Sequence, residues 1–275
     1  MYFRPMLSII LVYLILLLLA FLLQRKMIYF PETYVLEQQP EITRTLDLHP
    51  WPSSKNYRGF ISRRSIHNCQ GTIVVFHGNA GSARGRNYYI DALQNLGYRV
   101  ILAEYPGYGA KPGQPSEQAL VEDAMTTTRL ALKNFGEPLF LWGESLGGGV
   151  VSGIVQSGQF NIRGIALITP FDSLPNVAQY HYPFLLGKWL TLDQYDLAKN
   201  LHNFTGNIAI IMALKDQVIP NKFSLNLFNQ LRNRKKLWTF SEAGHNTLPI
   251  SPGLSWWSEV MLFLEQETAR DVDSK

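Results

Sequence analysis

The chain of 275 residues contains a single cysteine, Cys69, and this scarcity excludes several kinds of structure. One thiol cannot form a disulfide bridge within the chain, and it cannot supply the cysteine ligands of a structural zinc site. Charge is scarce as well, since Asp, Glu, Lys and Arg together make up 17% of the residues and leave a formal net charge of +4. Such a small positive excess does not favour a nucleic-acid-binding protein.

A long run without charge lies near the N-terminus, at 5–24, and consists mostly of aliphatic and aromatic residues. Twenty helical residues extend about 30 Å, which is the thickness of the hydrocarbon core of a bilayer. A cleaved signal peptide is the alternative, but no small-x-small cleavage site follows the run. We therefore predict an uncleaved, single-pass membrane anchor at 1–26. Its orientation stays open, because Arg4 on one side nearly balances Arg25 and Lys26 on the other.

The rest of the chain divides by composition into a tether at 27–56, rich in proline and polar residues, a domain at 57–269 and a tail at 270–275. Within the domain, short apolar runs alternate with helical patterns of ten or more residues. This alternation predicts an α/β fold with a mostly parallel sheet covered by helices on both faces. The predicted strands are 57–63, 72–76, 98–103, 138–142, 162–168, 208–212 and 236–240, and the predicted helices are 82–96, 116–135, 148–157, 223–231 and 256–264.

The glycines Gly143 and Gly147 flank Ser145 at the spacing that a nucleophile elbow requires. The motif follows a predicted buried strand and precedes a helix that opens on glycines, a context that a chance match would not usually have. The elbow would present the Ser145 hydroxyl above the sheet, close to the backbone N–H of Leu146. We therefore predict that Ser145 is a catalytic nucleophile.

A serine hydroxyl is a weak nucleophile near neutral pH, so it requires a base and an acid that orients the base. His245 follows a predicted strand late in the chain, where the order Ser, Asp, His places the base. Asp216 directly follows the buried strand at 208–212 and is the predicted acid. Asp172 and Glu242 also follow strands and remain its rivals.

The loop at 77–82 follows the strand that ends at Phe76 and is rich in glycine. An oxyanion requires two preorganised N–H donors, and we predict that the backbone amides of Asn79 and Leu146 supply them. A phosphate-binding loop is the alternative. It is weak, because Gly78 and Gly81 are not followed by the Lys-Ser or Lys-Thr pair that contacts phosphate and magnesium.

The stretch 171–203 lies between two predicted strands and is too long for an ordinary connection. We predict that it forms a cap over the carboxyl ends of the strands, and that Tyr182, Phe184 and Trp189 bind substrate there. A plain pair of surface helices is the alternative.

Taken together, these motifs resemble the α/β-hydrolase superfamily over nearly all of the chain after the anchor, and more closely its membrane-anchored, bud-emergence-protein-like subgroup. The matching segments are Met-Ile-Tyr-Phe-Pro at 27–31, His-Gly-Asn-Ala-Gly at 77–81, Tyr-Pro-Gly-Tyr-Gly at 105–109, Gly-Glu-Ser-Leu-Gly-Gly at 143–148, Pro-Phe-Asp-Ser at 170–173, His-Tyr-Pro-Phe at 181–184, Asp-Gln-Val-Ile-Pro at 216–220 and Gly-His-Asn at 244–246. Position by position, the family's nucleophile, acid and base fall on Ser145, Asp216 and His245. Where relatives often carry Ser or Thr, this chain has Asp172.

The resemblance implies a serine hydrolase that acts on acyl esters or thioesters through an acyl-enzyme, with neither a metal nor an organic cofactor. Relatives include lipid esterases and depalmitoylating thioesterases. The expected partners are a small acyl substrate and the lipid bilayer, with no nucleic acid. A serine peptidase and a non-catalytic, membrane-tethered binding module on a hydrolase fold remain alternatives. The sequence leaves the substrate, the side of the membrane and the oligomeric state open.

Overall fold

A computed structural model of the chain describes residues 3–38, 44–232 and 234–267. The predicted tail at 270–275 lies outside these residues. The strands in the described ranges are β1 Phe30–Pro31, β2 Leu48–Pro50, β3 Gly59–Ser62, β4 Gly71–Phe76, β5 Ala80–Gly81, β6 Tyr98–Ala103, β7 Leu139–Glu144, β8 Gly164–Ile168, β9 Asn207–Ala213 and β10 Lys235–Phe240. The helices are α1 Phe3–Ile28, α2 Asn87–Gln94, α3 Glu117–Phe135, α4 Leu146–Gln156, α5 Leu174–His181, α6 Gly187–Leu190, α7 Leu197–Asn200, α8 Asn221–Gln230 and α9 Ser255–Glu265.

Eight strands form one sheet in the order β10-β9-β8-β7-β4-β6-β3-β2. The strands from β10 to β6 are parallel, and β3 and β2 are added antiparallel at one edge. The central strands β4, β7, β8 and β9 are apolar along nearly their whole length, as strands buried on both faces must be. A separate two-stranded parallel pair joins β1 to β5.

Helices cover both faces of the sheet. Successive residues of a strand point to opposite faces, so the apolar strands contribute to two separate cores. Val74 and Phe76 of β4 belong to one core, which they share with residues of α3, α4 and α8. Ile73 and Val75 belong to the other core, which contains residues of α2 and α9. The sequence prediction of a mostly parallel sheet covered on both faces is confirmed.

The sheet begins earlier in the chain than the sequence indicated. Leu48–Pro50 pairs with β3, and Trp51 is buried, although both lie in the segment 27–56 that the composition assigns to a tether. The ring of Trp51 stacks on Phe135 at the end of α3, with 6.3 Å between the centroids. Isolated apolar residues among prolines show neither the helical nor the strand periodicity of apolar positions. Their burial depends on tertiary contacts that a local pattern does not show.

The insert between β8 and β9 consists of three short helices, α5, α6 and α7, with a 3₁₀ turn at Pro183–Leu185. It lies beside α1, whose segment Met6–Ile28 contains an 18-residue window with a mean hydropathy of 3.1 and is long and apolar enough to cross a bilayer. The Tyr13 hydroxyl donates to the carbonyl oxygen of Phe184 over 2.8 Å. The long N-terminal helix and the insert, which we call the cap, are therefore in direct contact.

Candidate active site

Ser145 lies at the sharp turn between β7 and α4, at the centre of the sheet. Its backbone has φ 51° and ψ −114°, a conformation that side-chain-bearing residues rarely adopt, and its N–H donates to the Ile168 carbonyl over 2.8 Å. Gly147 makes the turn possible, since a Cβ there would lie 2.0 Å from the carbonyl oxygen of Phe76. The local geometry is that of a strained elbow that holds the Ser145 side chain at the carboxyl end of the strand.

His245 and Asp216 lie on the loops that follow β10 and β9, and the structure brings both to Ser145. The His245 Nε2 atom is 3.1 Å from Ser145 Oγ, and the His245 Nδ1 atom is 2.7 Å from Asp216 Oδ2. The other carboxylate oxygen of Asp216 accepts the N–H groups of Val218 and Ile219, at 2.9 and 2.7 Å. The three side chains form a continuous hydrogen-bonded series. This is the arrangement of a base that is oriented by a fixed carboxylate.

The two rival carboxylates have other partners. Asp172 accepts the Ser173 N–H over 2.7 Å and the Asn176 amide over 3.1 Å at the start of α5, and burial raises the pKa of its carboxyl. Glu242 pairs with Lys215 at the surface, where a salt bridge contributes little. Of the three candidates, Asp216 alone contacts His245 in the described part of the chain.

The loop predicted to supply an oxyanion donor is held from several sides. The carbonyl oxygen of Asn79 accepts the Phe30 N–H over 2.9 Å and the Tyr108 hydroxyl over 2.8 Å. Before it in the chain, His77 is buried and contacts Glu104 through Nε2 at 3.0 Å. Asn79 and Leu146 both line the same cavity as Ser145. The loop is thus fixed beside Ser145, as an oxyanion site requires.

A cavity of about 460 Å³ opens at Ser145, within the size range of small-molecule sites. Its walls come from α1, the cap, the loop at 77–81 and the loop after β9. Among the described residues that line it, no side chain is Asp, Glu, Lys or Arg. The lining residues are Ala20, Phe21, Gln24, Met27, Ile28, Phe30, Asn79, Ser145, Leu146, Phe171, Leu174, Val177, Ala178, His181, Tyr182, Leu185, Gly187, Leu190, Thr191, Gln217, Val218 and Ile219.

The three cap residues predicted to bind substrate are placed differently. Tyr182 lines the cavity, whereas Phe184 and Trp189 do not and are 82% and 72% exposed. Leu185 and Leu190 line the cavity from the same stretch instead. The sequence showed an apolar cluster but not which of its residues face the cavity. The part of the cap at 183–190 folds as a 3₁₀ turn and a one-turn helix, and these are too short to show an apolar period.

Sequence reasoning missed the part of the cavity wall that comes from α1. One signal was present in the sequence, namely the polar residue Gln24 at the end of an otherwise apolar run. An uncharged amide in an apolar environment requires hydrogen-bond partners, which indicates protein contacts on that side of the helix. In the described ranges, no group of three or more His, Cys, Asp or Glu side chains could hold a metal ion.

Comparison with known proteins agrees with this geometry. Residues 67–194 match the family model described as serine aminopeptidase, S33. An uncharacterised protein of Mycobacterium tuberculosis is 31% identical over 197 residues, which cover 70% of this chain and 69% of that protein. The chain belongs to the α/β-hydrolase superfamily. The lysophosphatidylserine lipase ABHD12 of Danio rerio is 28% identical to this hydrolase over 216 residues, 70% of this chain and 55% of the lipase. The hydrolase thus spans about half the length of that relative.

Solved structures show the same fold at lower identity. The Pyrococcus furiosus esterase has a TM-score of 0.64 and 15% identity, with 86% of this chain and 97% of the esterase covered. The monoacylglycerol lipase of Paleococcus ferrophilus has a TM-score of 0.56 and 19% identity, with 74% of this chain and 98% of the lipase covered. Family and fold together identify a serine hydrolase.

Proposed function

We propose that this protein is a membrane-anchored lipid hydrolase that cleaves the carboxylic ester or thioester bond of an acyl substrate, with Ser145, His245 and Asp216 as its catalytic triad. One observation carries the proposal. The hydrogen-bonded series from Asp216 through His245 to Ser145 ends at the wall of an apolar cavity. A nucleophile with its base is thereby placed where an acyl carbonyl would lie if the acyl chain filled the cavity.

In the proposed mechanism, His245 Nε2 takes the proton of Ser145 Oγ as that oxygen attacks the carbonyl carbon. Asp216 holds the imidazole through Nδ1 and stabilises the imidazolium that forms. The tetrahedral intermediate collapses when His245 protonates the leaving alcohol or thiol, and the acyl group stays on Ser145. A water molecule, activated by the same histidine, then releases the carboxylic acid.

The developing oxyanion would be held by the backbone N–H groups of Asn79 and Leu146. Two preorganised donors in a largely water-free site are worth roughly 10²- to 10³-fold each in kcat. The hydrogen bonds that the Asn79 carbonyl oxygen accepts from Phe30 and Tyr108 support this role, since they fix the loop before substrate binds.

The lining of the cavity favours an acyl chain over a peptide. Recognition of a peptide N-terminus requires a carboxylate, and none is found among the described lining residues. The apolar wall suits a hydrocarbon chain, whose burial contributes about 0.8 kcal/mol per methylene. The similarity to a lysophosphatidylserine lipase points in the same direction. The hydropathy of α1, followed by Arg25 and Lys26 at its end, supports a single-pass anchor in the bilayer.

The test is covalent labelling combined with kinetics. The wild type is expected to react with a fluorophosphonate probe and to hydrolyse p-nitrophenyl esters, and Ser145→Ala is expected to do neither. Asp216→Asn should lower kcat by about 10³-fold or more. The matched control is Asp172→Asn, which removes the rival carboxylate and should keep near-normal kcat. Failure of the wild type to label would refute the proposed chemistry, and loss of activity in Asp172→Asn alone would reassign the acid.

A further inference from the structure

The helix α1, which is long and apolar enough to cross a bilayer, also forms part of the wall of the cavity. The residues of α1 that line the cavity are Ala20, Phe21, Gln24, Met27 and Ile28. Successive residues of this set are one, three, three and one positions apart in the sequence, so all five lie along one stripe of the helix surface. From Ala20 to Ile28 the helix rises about 12 Å, so the stripe is two turns long.

The remaining surface of the same turns faces away from the protein. Leu19, Leu22 and Leu23 lie between or beside the lining residues and are exposed, whereas Ala20 and Gln24 are partly buried. The helix therefore has two apolar sides with different neighbours. One side meets the cavity, and the other is available to lipid.

Polar contacts fix this helix to the cap. The Gln24 side chain donates to the Leu190 carbonyl over 3.2 Å and accepts the Leu192 N–H over 2.7 Å. Both ends of the amide are thus satisfied by the backbone of the cap, which offsets the cost of placing it in an apolar helix. Next to it, Arg25 Nε and Nη2 each lie 3.2 Å from a carboxylate oxygen of Asp193.

Asp193 connects the end of α1 to the body of the domain. Its side chain is 4% exposed and also accepts the Tyr29 hydroxyl over 2.9 Å and the Glu117 N–H over 3.1 Å. On the opposite side, the Asn79 amide donates to the Ile28 carbonyl over 2.7 Å. The end of α1 is therefore held both by the cap and by the loop beside Ser145, so the wall has a fixed position relative to the nucleophile.

The cavity opens where α1 and the cap meet. The residues that line the cavity and are also exposed lie at its rim, and they are Phe21, Met27, Phe30, His181, Tyr182, Gln217 and Val218. The helix that is apolar enough to cross the bilayer contributes Phe21 and Met27 to this rim. If α1 spans the bilayer, the part of the rim that it forms lies beside lipid rather than bulk water.

We propose that α1 is a wall of the acyl-binding site and that the acyl chain enters sideways from the bilayer, between α1 and the cap. The chain lies along the stripe that contains Ala20, with its carbonyl at Ser145. The substrate class is accordingly an amphiphile whose acyl chain is already seated in the membrane. This inference rests on the proposed hydrolase function and on α1 spanning the bilayer.

The first test changes the wall of the full-length protein in detergent micelles. Ala20→Phe places a ring in the stripe, and Leu22→Phe places the same ring on the exposed side as its matched control. For Ala20→Phe, the ratio of kcat/KM on p-nitrophenyl myristate to kcat/KM on p-nitrophenyl acetate is expected to fall about tenfold or more. Leu22→Phe should behave as the wild type on both esters. Equal profiles for the two variants would overturn the inference.

The second test uses the wild type, so it does not depend on the folding of a variant. A long-chain alkyl fluorophosphonate with a diazirine at the chain end is allowed to react with the enzyme in phosphatidylcholine vesicles and is then irradiated. The inference requires cross-links in peptides that contain residues 17–28, and cross-links found only in other peptides would overturn it. Absence of the phosphonate adduct on Ser145 would instead refute the proposed catalytic function, so the two failures are distinguishable.

Discussion

The two sides of the cavity are built in different ways. On the side of the sheet, Ser145, Asp216 and His245 lie on turns that directly follow β7, β9 and β10, and the strands beneath them are buried. On the side of the cap, short elements and the end of α1 are held mainly by a small set of polar contacts around Gln24 and Asp193, and large residues such as Phe184 and Trp189 are exposed. A rigid frame thus carries the proposed catalytic groups, and a lightly packed wall forms the other side of the cavity.

The difference indicates how the two sides respond to substitution. At the carboxyl ends of the central strands, backbone atoms are in contact across the turn that contains Ser145. An interior packed to that density does not accommodate added atoms without strain. At the cap, stability depends on a few buried hydrogen bonds, and loss of one partner leaves a buried group unpaired. Three substitutions, at Gly147, Asp193 and Asp172, separate these cases.

The largest effect is expected at Gly147, on the rigid side. The Cβ of Gly147→Ala would lie 2.0 Å from the Phe76 carbonyl oxygen and 2.8 Å from that of His77. Both are backbone atoms that cannot rotate away, so β4 and the elbow must separate. We expect a loss of at least about 3 kcal/mol in the free energy of unfolding and about 100-fold in kcat/KM on p-nitrophenyl acetate, measured by thermal melting and by initial rates.

The control for Gly147→Ala is Gly85→Ala, at an exposed position where no atom lies within 4 Å of the added carbon. That substitution should change the free energy of unfolding by less than about 0.5 kcal/mol. If Gly147→Ala were as active and as stable as this control, the elbow would not be the tightly packed element described above.

An intermediate effect is expected at Asp193, on the lightly packed side. Asp193→Ala leaves the Tyr29 hydroxyl and the Glu117 N–H without their buried acceptor. Each such loss costs about 1 to 3 kcal/mol, whereas the ion pair with the half-exposed Arg25 adds little. A decrease in Tm of roughly 5 to 10 °C is expected for the full-length protein in detergent.

The matched control is Asp91→Ala, which removes a carboxylate that pairs with Arg64 at the surface. Its Tm should stay within about 2 °C of the wild type, since exposed ion pairs contribute little. Equal shifts for the two variants would mean that Asp193 does not connect α1 to the domain in a way that matters for stability.

The same contrast explains how much of the molecule could be predicted from the sequence. Ser145, Asp216 and His245 each follow an apolar strand run, and parallel strands end at the same edge, so local patterns were sufficient to predict their proximity. The start of α4 was predicted two residues late, because glycines weaken a helical pattern. The burial of Trp51 was not predicted, since its neighbours carry no period.

The cap and the wall formed by α1 could not be read in the same way. The contact of Arg25 with Asp193 joins residues 168 positions apart, and nothing in either local sequence specifies the other. Whether Leu190 or Trp189 faces the cavity depends on the orientation of a single helical turn. Such long-range pairings are fixed by tertiary packing, which a single sequence does not display.

The smallest effect is expected at Asp172, where the sheet edge meets the cap. Burial raises the pKa of its carboxyl, and this outweighs the hydrogen bonds from Ser173, Asn176 and Asn226, which act to lower it. A raised pKa means that the folded state binds the proton more tightly than the unfolded state. The ionised carboxylate therefore costs stability once the pH rises through the folded-state pKa, and this cost is absent below the unfolded-state pKa.

Asp172→Asn removes the charge and should raise Tm by about 2 °C at pH 7. Melting curves recorded between pH 7 and pH 4 should show this gain shrinking as the wild-type carboxyl takes up its proton. A gain that persisted unchanged at low pH, or a loss at neutral pH, would show that the hydrogen bonds of the carboxylate outweigh its burial.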